Sequence, residues 1–196
     1  MTVEPSSGPG YGATEPDIVA AARAAGLDPD WLNDRSAYQR NFVHGLANPT
    51  GLHLQYRLER TPAGTAPDPD PLAGFRVVAD WTADPEHMGF PGIAHGGLLM
   101  AIVDDVIGRC AALRHHWVVT GRIETRFRAA APVAAPLRVE GWVTRWQRRA
   151  VHGHARVLLP DGTAAVEADG VYLPIPSDLL GHMVEAWPGF AEYAGG

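Results

Sequence analysis

A short stretch in the middle of the chain combines residue types that could act on a carbonyl group. His95, Gly96 and Gly97 precede an apolar run that contains two adjacent carboxylates, Asp104 and Asp105. Consecutive glycines permit a close backbone approach, and the first N–H groups of a helix have no partner within it. Those N–H groups and the helix dipole favour negative charge. The stretch therefore predicts a site for a developing oxyanion, followed about two helical turns later by a carboxylate.

The residues after the glycines are spaced as in a buried helix. Apolar side chains recur at intervals of about 3.6 residues, at Leu99, Val103, Val106 and Cys110. A carboxylate in the middle of such a helix is costly unless it is paired or used. Asp105 stands at ion-pair spacing from Arg109 and lies on the less apolar side. No basic residue has helical spacing to Asp104, so we predict that Asp104, rather than Asp105, is available for chemistry.

The segments before and after this helix have the residue patterns of β-strands. Alternating apolar residues predict a strand at Leu52–Leu58, and Phe75–Trp81 is the next. After the helix come four further strand-like runs: Trp117–Arg128, Leu137–Trp146, Val151–Leu159 and Thr163–Leu173. Strands joined by short turns indicate an antiparallel sheet, and one long helix among them indicates the α+β class. A helix this apolar must be wrapped by the sheet, which is the hotdog fold.

Composition divides the chain into a domain and its extensions. Residues 1–15 are rich in Pro, Gly and Ser and are predicted to be a disordered tail. Residues 16–47 are predicted to be a helical N-terminal extension, with a first helix over Asp17–Leu27 that Gly26 would stop. The hotdog domain is expected over residues 48–176. Residues 177–196 are expected to form a C-terminal tail with a short helix.

The net charge and the cysteine content limit the classes of function that are possible. The net charge of −6 argues against a general nucleic-acid binder. Cys110 is the single cysteine and lies in the apolar stripe, where a packed thiol is expected rather than a reactive one. We find no signal peptide and no apolar run long enough to span a bilayer. The expectation is a cytoplasmic protein that does not act on membranes.

The pattern Gly89-x-Pro91-Gly92-x-x-His95-Gly96-Gly97, followed by Asp104, resembles the PaaI-like acyl-CoA thioesterases of the hotdog superfamily. Two other segments are similar to recurring parts of that family, at residues 41–52 and 127–141. Where many members carry cysteines in the first of them, this chain has Asn41 and His44. The resemblance covers roughly residues 41–175.

The resemblance implies hydrolysis of an acyl-CoA and assigns roles to several residues. Asp104 aligns with the catalytic carboxylate, which acts as nucleophile or as base for water. Gly96 aligns with the glycine whose N–H polarises the thioester carbonyl, and His95 orients that loop. Thr120 falls where some members place a hydroxyl that positions water. The family builds its site across a subunit interface, so a homodimer or homotetramer is implied, with no cofactor beyond the coenzyme A of the substrate.

Four further residues are assigned to the substrate. Gly97 belongs to the glycine loop, and His87 could replace an Asn or Gln that some members carry where this chain has Gly89. Arg145 and Arg149 lie at a strand–turn–strand junction and could contact the phosphates of coenzyme A. The alternative for this basic cluster is a solvated edge.

Other interpretations remain open at this stage. Asp104 could be a helix-surface charge, and His95 could be a structural hydrogen-bonding residue. His152 and His154 share a strand face, but no third ligand is indicated, so we predict no metal. Besides a thioesterase, the chain could be a non-catalytic acyl-CoA-binding or partner-binding protein. A hotdog acyl-thioester dehydratase is a third possibility, although the motifs of that class are not visible.

Overall fold

A six-stranded antiparallel sheet packs against one long helix in a computed structural model. The structure describes residues 16–33, 40–66, 69–187 and 190. The tail predicted at residues 1–15 lies outside this part of the chain. The helices are α1 (Pro16–Ala24), α2 (Gly96–Ala112) and α3 (Ser177–Ala186). The sheet strands are β1 (Arg57–Arg60), β2 (Phe75–Thr82), β5 (Val118–Phe127), β6 (Pro136–Gln147), β7 (Ala150–Leu158) and β8 (Ala164–Pro174), and β3 (Met88–Phe90) pairs with β4 (Ile93–Ala94) in a small separate hairpin.

The sheet order is β1-β2-β6-β7-β8-β5, and α2 packs on its inner face. All four residues of the predicted apolar stripe are buried: Leu99, Val103, Val106 and Cys110. Burial raises the pKa of the Cys110 thiol, whose Sγ donates to the carbonyl of Val106. Gly153 in β7 lets the helix come close, because a Cβ at this position would collide with Ile107. The predicted α+β hotdog architecture is confirmed.

The first strand is shorter than the sequence predicts. Leu52, Leu54, Tyr56 and Leu58 are buried as their alternation indicates, but ladder pairing begins only at Arg57. The backbone before Arg57 forms other bonds: Leu52 N–H donates to the carbonyl of Phe42, and Tyr56 N–H donates to Asn33 Oδ1. The predicted strand over Leu52–Leu58 is therefore wrong over residues 52–56, where backbone donors bond to the N-terminal extension.

The described part of the N-terminal extension combines helix and turns. Beyond α1 it holds a short 3-10 helix, Pro29–Trp31, and then turns over residues 40–47. Gly26 has φ +75, which fits its predicted role in ending the first helix. The β3–β4 hairpin was not predicted, although Gly92 at φ +77 after Pro91 forms the turn that the sequence indicates there.

Strand β5 lies at one edge of the sheet. It pairs with β8 along one side, and in the part of the chain that the structure describes its other side carries no strand. Most of its residues are exposed or half-buried. Large apolar side chains are exposed near the start of α2: Phe90, Met100 and Phe127. An exposed edge strand beside exposed apolar groups is a surface suited to another protein chain.

Candidate active site

The carboxylate of Asp104 is held from two strands of the sheet. Its Oδ1 accepts a hydrogen bond from Thr120 Oγ1 at 2.7 Å, at the start of β5. The hydroxyl of Tyr172, near the end of β8, lies 2.9 Å from the same Oδ1 and 3.1 Å from the backbone oxygen of Asp104. The structure therefore brings Thr120 to Asp104 and adds a tyrosine that the sequence analysis did not identify. The water-positioning role that the resemblance implies for Thr120 stays a prediction.

These contacts leave one oxygen of the carboxylate available. Within the described residues, Asp104 Oδ2 accepts no hydrogen bond, and no ion pair neutralises the group. Burial, reinforced by the Asp104 charge, raises the pKa of Tyr172 far above its ordinary value. Tyr172 is thus a neutral donor over the whole physiological pH range. The arrangement fixes the direction of the carboxylate while its second oxygen faces a half-exposed space.

Gly170 makes room for the tyrosine. It stands two residues before Tyr172 on the same strand face, and a Cβ there would collide with the Tyr172 ring. The ring can therefore lie flat over β8 while its hydroxyl reaches α2. The alternation of Gly170 and Tyr172 is visible in the sequence, but it does not indicate a partner 68 residues away.

At the start of α2, His95 caps the helix. Its Nδ1 accepts a hydrogen bond from Gly97 N–H at 2.9 Å, so the imidazole is neutral with its proton on Nε2. The N–H of Gly96, by contrast, has no acceptor within the described chain. Gly96 therefore offers a free donor at the positive end of the helix dipole, whereas the Gly97 N–H that was assigned to the substrate is already engaged by His95.

His87 and Gly89 support this loop. The His87 carbonyl accepts from His95 N–H at 2.8 Å, and its ring accepts from Asp84 N–H at 2.9 Å. A Cβ at Gly89 would lie 3.1 Å from His95. This crowding gives a physical reason why position 89 has no Asn or Gln in this chain. A direct contact between His87 and substrate stays a prediction.

Asp105 lies in a buried polar cluster, so the expectation that it lies on the less apolar side of the helix is wrong, whereas the Arg109 charge does act on it, as the ion-pair spacing predicts. Its side chain is 11% exposed, and Oδ2 lies 2.9 Å from His44 Nδ1 and 2.9 Å from the Tyr56 hydroxyl. Burial alone would raise the pKa of Asp105, but the facing His44 and Arg109 charges and these hydrogen bonds hold it below its usual value. Asp105 is therefore a structural carboxylate anchored to the N-terminal extension.

The structure does not bring Arg145 or Arg149 to Asp104 within one chain. Arg145 pairs in register with His152, on the face of the sheet that points away from α2, since Gly153 next to His152 faces the helix. Arg149 lies in the exposed turn between β6 and β7. Their assignment to coenzyme A stays a prediction.

The two histidines of β7 are placed on the same outer face. His154 Nδ1 lies 2.8 Å from Asp169 Oδ1, and His152 Nε2 lies 3.2 Å from the side chain of Gln147. No group of three His, Cys, Asp or Glu side chains suited to a metal ion occurs among the described residues. The ion pair with Asp169 gives His154 a local structural partner.

A six-stranded antiparallel sheet packed on one long buried helix is the hotdog fold. Residues 91–166 match the family model of the thioesterase superfamily. The match confirms the resemblance to hotdog thioesterases that the sequence indicates. No curated protein has a sequence that matches the chain.

Solved structures agree on the fold. A thioesterase superfamily protein is 21% identical, with a TM-score of 0.58, covering 81% of this chain and 75% of its own. AziG of S. sahachiroi is 23% identical, with a TM-score of 0.51, covering 63% of this chain and 92% of its own. A hypothetical thioesterase of Streptococcus pneumoniae, solved with coenzyme A, is 18% identical, with a TM-score of 0.50, covering 61% and 87%. Among the described residues, no helix is both long and apolar enough to cross a membrane.

Proposed function

We propose that the protein is an acyl-CoA thioesterase, which hydrolyses the thioester of a coenzyme A conjugate to a free acid and coenzyme A. The observation that carries this proposal is the Asp104 carboxylate, held through Oδ1 by Thr120 and Tyr172 with Oδ2 left open. A carboxylate fixed in this way is suited to attack a carbonyl carbon or to activate water for that attack. The thioesterase superfamily match of residues 91–166 supports the same reaction class.

The reaction can proceed by either of two routes. As a base, Asp104 takes a proton from water while the water oxygen bonds to the thioester carbon; the C–S bond then breaks and the sulfur leaves as the thiol after taking up a proton. As a nucleophile, Asp104 itself bonds to that carbon and displaces the sulfur, and water then cleaves the resulting anhydride. In both routes the N–H of Gly96 would donate to the oxyanion.

One protomer does not supply both groups to a single carbonyl. Gly96 and Asp104 are eight residues apart on α2, which is about 12 Å along the helix axis. The oxyanion donor and the attacking group must each lie within about 3 Å of the reacting atoms. We therefore propose that a second copy of the chain completes the site, and that the exposed edge of β5 with Met100 and Phe127 forms the interface.

The proposed scheme uses groups of the protein alone. Side chains and a backbone N–H supply the base or nucleophile and the oxyanion site, so no cofactor is proposed beyond the coenzyme A of the substrate. The structure of the Streptococcus pneumoniae thioesterase with coenzyme A supports coenzyme A as the thiol component. We further propose that the protein acts in the cytoplasm.

The test is release of coenzyme A from a panel of acyl-CoAs, measured with a thiol reagent and by mass spectrometry. We expect turnover by the wild-type protein and a loss of kcat of about a thousandfold or more in Asp104→Asn, in the range found when a catalytic group is removed. The matched control is Asp17→Asn, which removes an exposed carboxylate on α1. Binding without thiol release would identify an acyl-CoA-binding protein, and hydration of an enoyl thioester would identify a dehydratase.

A further inference from the structure

A cavity of about 360 Å³ lies between α3 and the start of β5, and we infer that it binds the acyl group of the substrate. This inference rests on the proposed thioesterase activity, because it assigns a place to one part of that substrate. The ligand class is an apolar acyl chain of medium length. The cavity walls, their connection to Asp104 and the cavity volume carry the inference.

The walls of the cavity are apolar and partly aromatic. Trp117 and Val118 line it from the sheet side, and Met183, Trp187 and Phe190 line it from the C-terminal segment. Among the described lining residues, Arg109 alone is charged, and its charge acts on the buried Asp105 carboxylate. A cavity with such walls favours a hydrocarbon group over a polar one.

The cavity lies beside the ends of the two strands that hold Asp104. Val118 lies two residues before Thr120 on β5, so the two side chains share one strand face about 7 Å apart. On β8, Ile175 follows the last strand residue and lines the cavity, while Tyr172 reaches Asp104. The Ile175 N–H donates to the Trp117 carbonyl at 3.1 Å, which joins both strands at the cavity wall. A thioester carbonyl placed at Asp104 would therefore have its acyl chain directed into this space.

The volume limits the length of the acyl chain. An apolar cavity of about 150 Å³ holds a benzene molecule, and small-molecule pockets begin at about 300 Å³. A space of about 360 Å³ therefore fits an acyl group of roughly six to ten carbons. It is larger than an acetyl group needs.

Five of the wall residues lie outside the segment that matches the superfamily: Ile175, Met183, Ala186, Trp187 and Phe190. The match ends at residue 166, whereas Met183, Trp187 and Phe190 come from the end of the chain. The outer wall of the cavity is thus built by α3 together with Trp187 and Phe190. Acyl selectivity in this protein is accordingly a property of its C-terminal segment.

The inference is tested by titration calorimetry with non-hydrolysable ketone analogues of acyl-CoAs, in which a methylene group replaces the thioester sulfur. We expect the octanoyl analogue to bind the wild-type protein about tenfold tighter than the acetyl analogue, or more, because the additional methylenes enter an apolar pocket. Met183→Trp fills the cavity and should abolish this preference. Leu179→Trp, an exposed position on the same helix that does not line the cavity, should preserve it.

A second variant tests the pocket in the opposite direction. Met183→Ala enlarges the cavity and should shift the preferred analogue from octanoyl toward dodecanoyl. Equal affinity for the octanoyl and acetyl analogues, or a preference that survives Met183→Trp with the fold intact by circular dichroism, overturns the inference. If the analogues show the predicted preference but octanoyl-CoA is not hydrolysed, the thioesterase proposal is wrong. The inference that the cavity binds an acyl group is then retained. An absence of binding by every analogue overturns both.

Discussion

Asp104 and Asp105 are consecutive on α2, yet the residues that hold the first carboxylate follow α2 in the sequence and those that hold the second precede it. Strands β5 and β8 donate to Asp104 through Thr120 and Tyr172. The N-terminal extension and the residues before β1 supply His44 and Tyr56 to Asp105. Successive helix residues point about 100° apart, which separates the two environments. The first carboxylate keeps an open oxygen, and the second anchors the helix.

Asp105→Asn should destabilise the protein more than Asp104→Asn does. The amide cannot accept from His44 and Tyr56 as the carboxylate does, so buried donors lose their partner. We expect a loss of about 2–4 kcal/mol in the free energy of unfolding, measured by urea denaturation. Activity per folded molecule should fall far less than in Asp104→Asn. Equal stability of the two variants would contradict the structural role of Asp105.

The stabilising effect of Asp105 should depend on pH in a defined direction. Its pKa is lowered in the folded state, so its contribution is fully present above the unfolded-state pKa and is lost as the pH falls through the folded-state pKa. The difference in unfolding free energy between wild type and Asp105→Asn should therefore be constant from about pH 5 to 7 and shrink below about pH 4. Thermal denaturation at a series of pH values measures it. A difference that grows on acidification would contradict the assignment.

Removing either donor to Asp104 should slow the reaction. Hydrogen bonds to a charged group contribute about 1.5–3 kcal/mol, so Thr120→Val and Tyr172→Phe should each lower kcat by about tenfold or more. The matched control is Thr125→Val on the same strand, because the buried Thr125 hydroxyl has no partner within the described chain. Steady-state kinetics on one acyl-CoA compare the three variants. A kcat loss in Thr125→Val equal to that in Thr120→Val would remove the role of Thr120.

A mixed dimer should recover activity that two inactive variants lack. Gly96→Pro removes the proposed oxyanion donor at a helix position that tolerates proline, and Asp104→Asn removes the carboxylate. If each site takes Asp104 from one copy and Gly96 from the other, a dimer with one copy of each variant contains one intact site and one inactive site. Refolding the two variants together should then restore about a quarter of the wild-type activity. No recovery in hybrids confirmed by native mass spectrometry would place both groups in one protomer.

Arg149→Ala should weaken binding of coenzyme A without slowing the chemistry. Arg149 lies in the exposed β6–β7 turn, away from the Asp104 carboxylate of its own chain. We expect KM to rise by about fivefold with kcat nearly unchanged, the result of a lost contact made equally in the ground and transition states. Arg23→Ala on α1 serves as the control. A fall in kcat with unchanged KM would assign Arg149 a different role.

The elements with long, regular patterns were predictable from the sequence. The apolar stripe from Leu99 to Cys110 indicates a buried helix, and β2 and β5–β8 fall within a residue or two of the predicted runs. The choice of Asp104 over Asp105 followed from the absence of a basic neighbour at helical spacing. Thr120 came from the family resemblance, and the structure places its hydroxyl on Asp104.

The contacts across long sequence separations were not predictable. Tyr172 reaches Asp104 because the ring passes over Gly170, a relation that depends on how β8 lies on α2. The partners of Asp105 lie 61 and 49 residues before it, in segments without a clear period. The early residues of the first predicted strand bond to the N-terminal extension, and β1 therefore pairs with β2 only from Arg57 onward. Periodicity describes an element and its buried face, and it does not identify the neighbour on that face.

The hydrogen bond between Asp105 and His44 links the N-terminal extension to the central helix. A polypeptide starting at residue 48 would keep Tyr56 but lose Asn41 and His44, and a carboxylate would remain in a nearly dry pocket without its main donor. The segment from Asn41 to His44 is therefore not an accessory added to a finished hotdog unit. A cut at residue 48 would separate the two sides of one polar contact, so the N-terminal extension and the central helix form a single folding unit at this point.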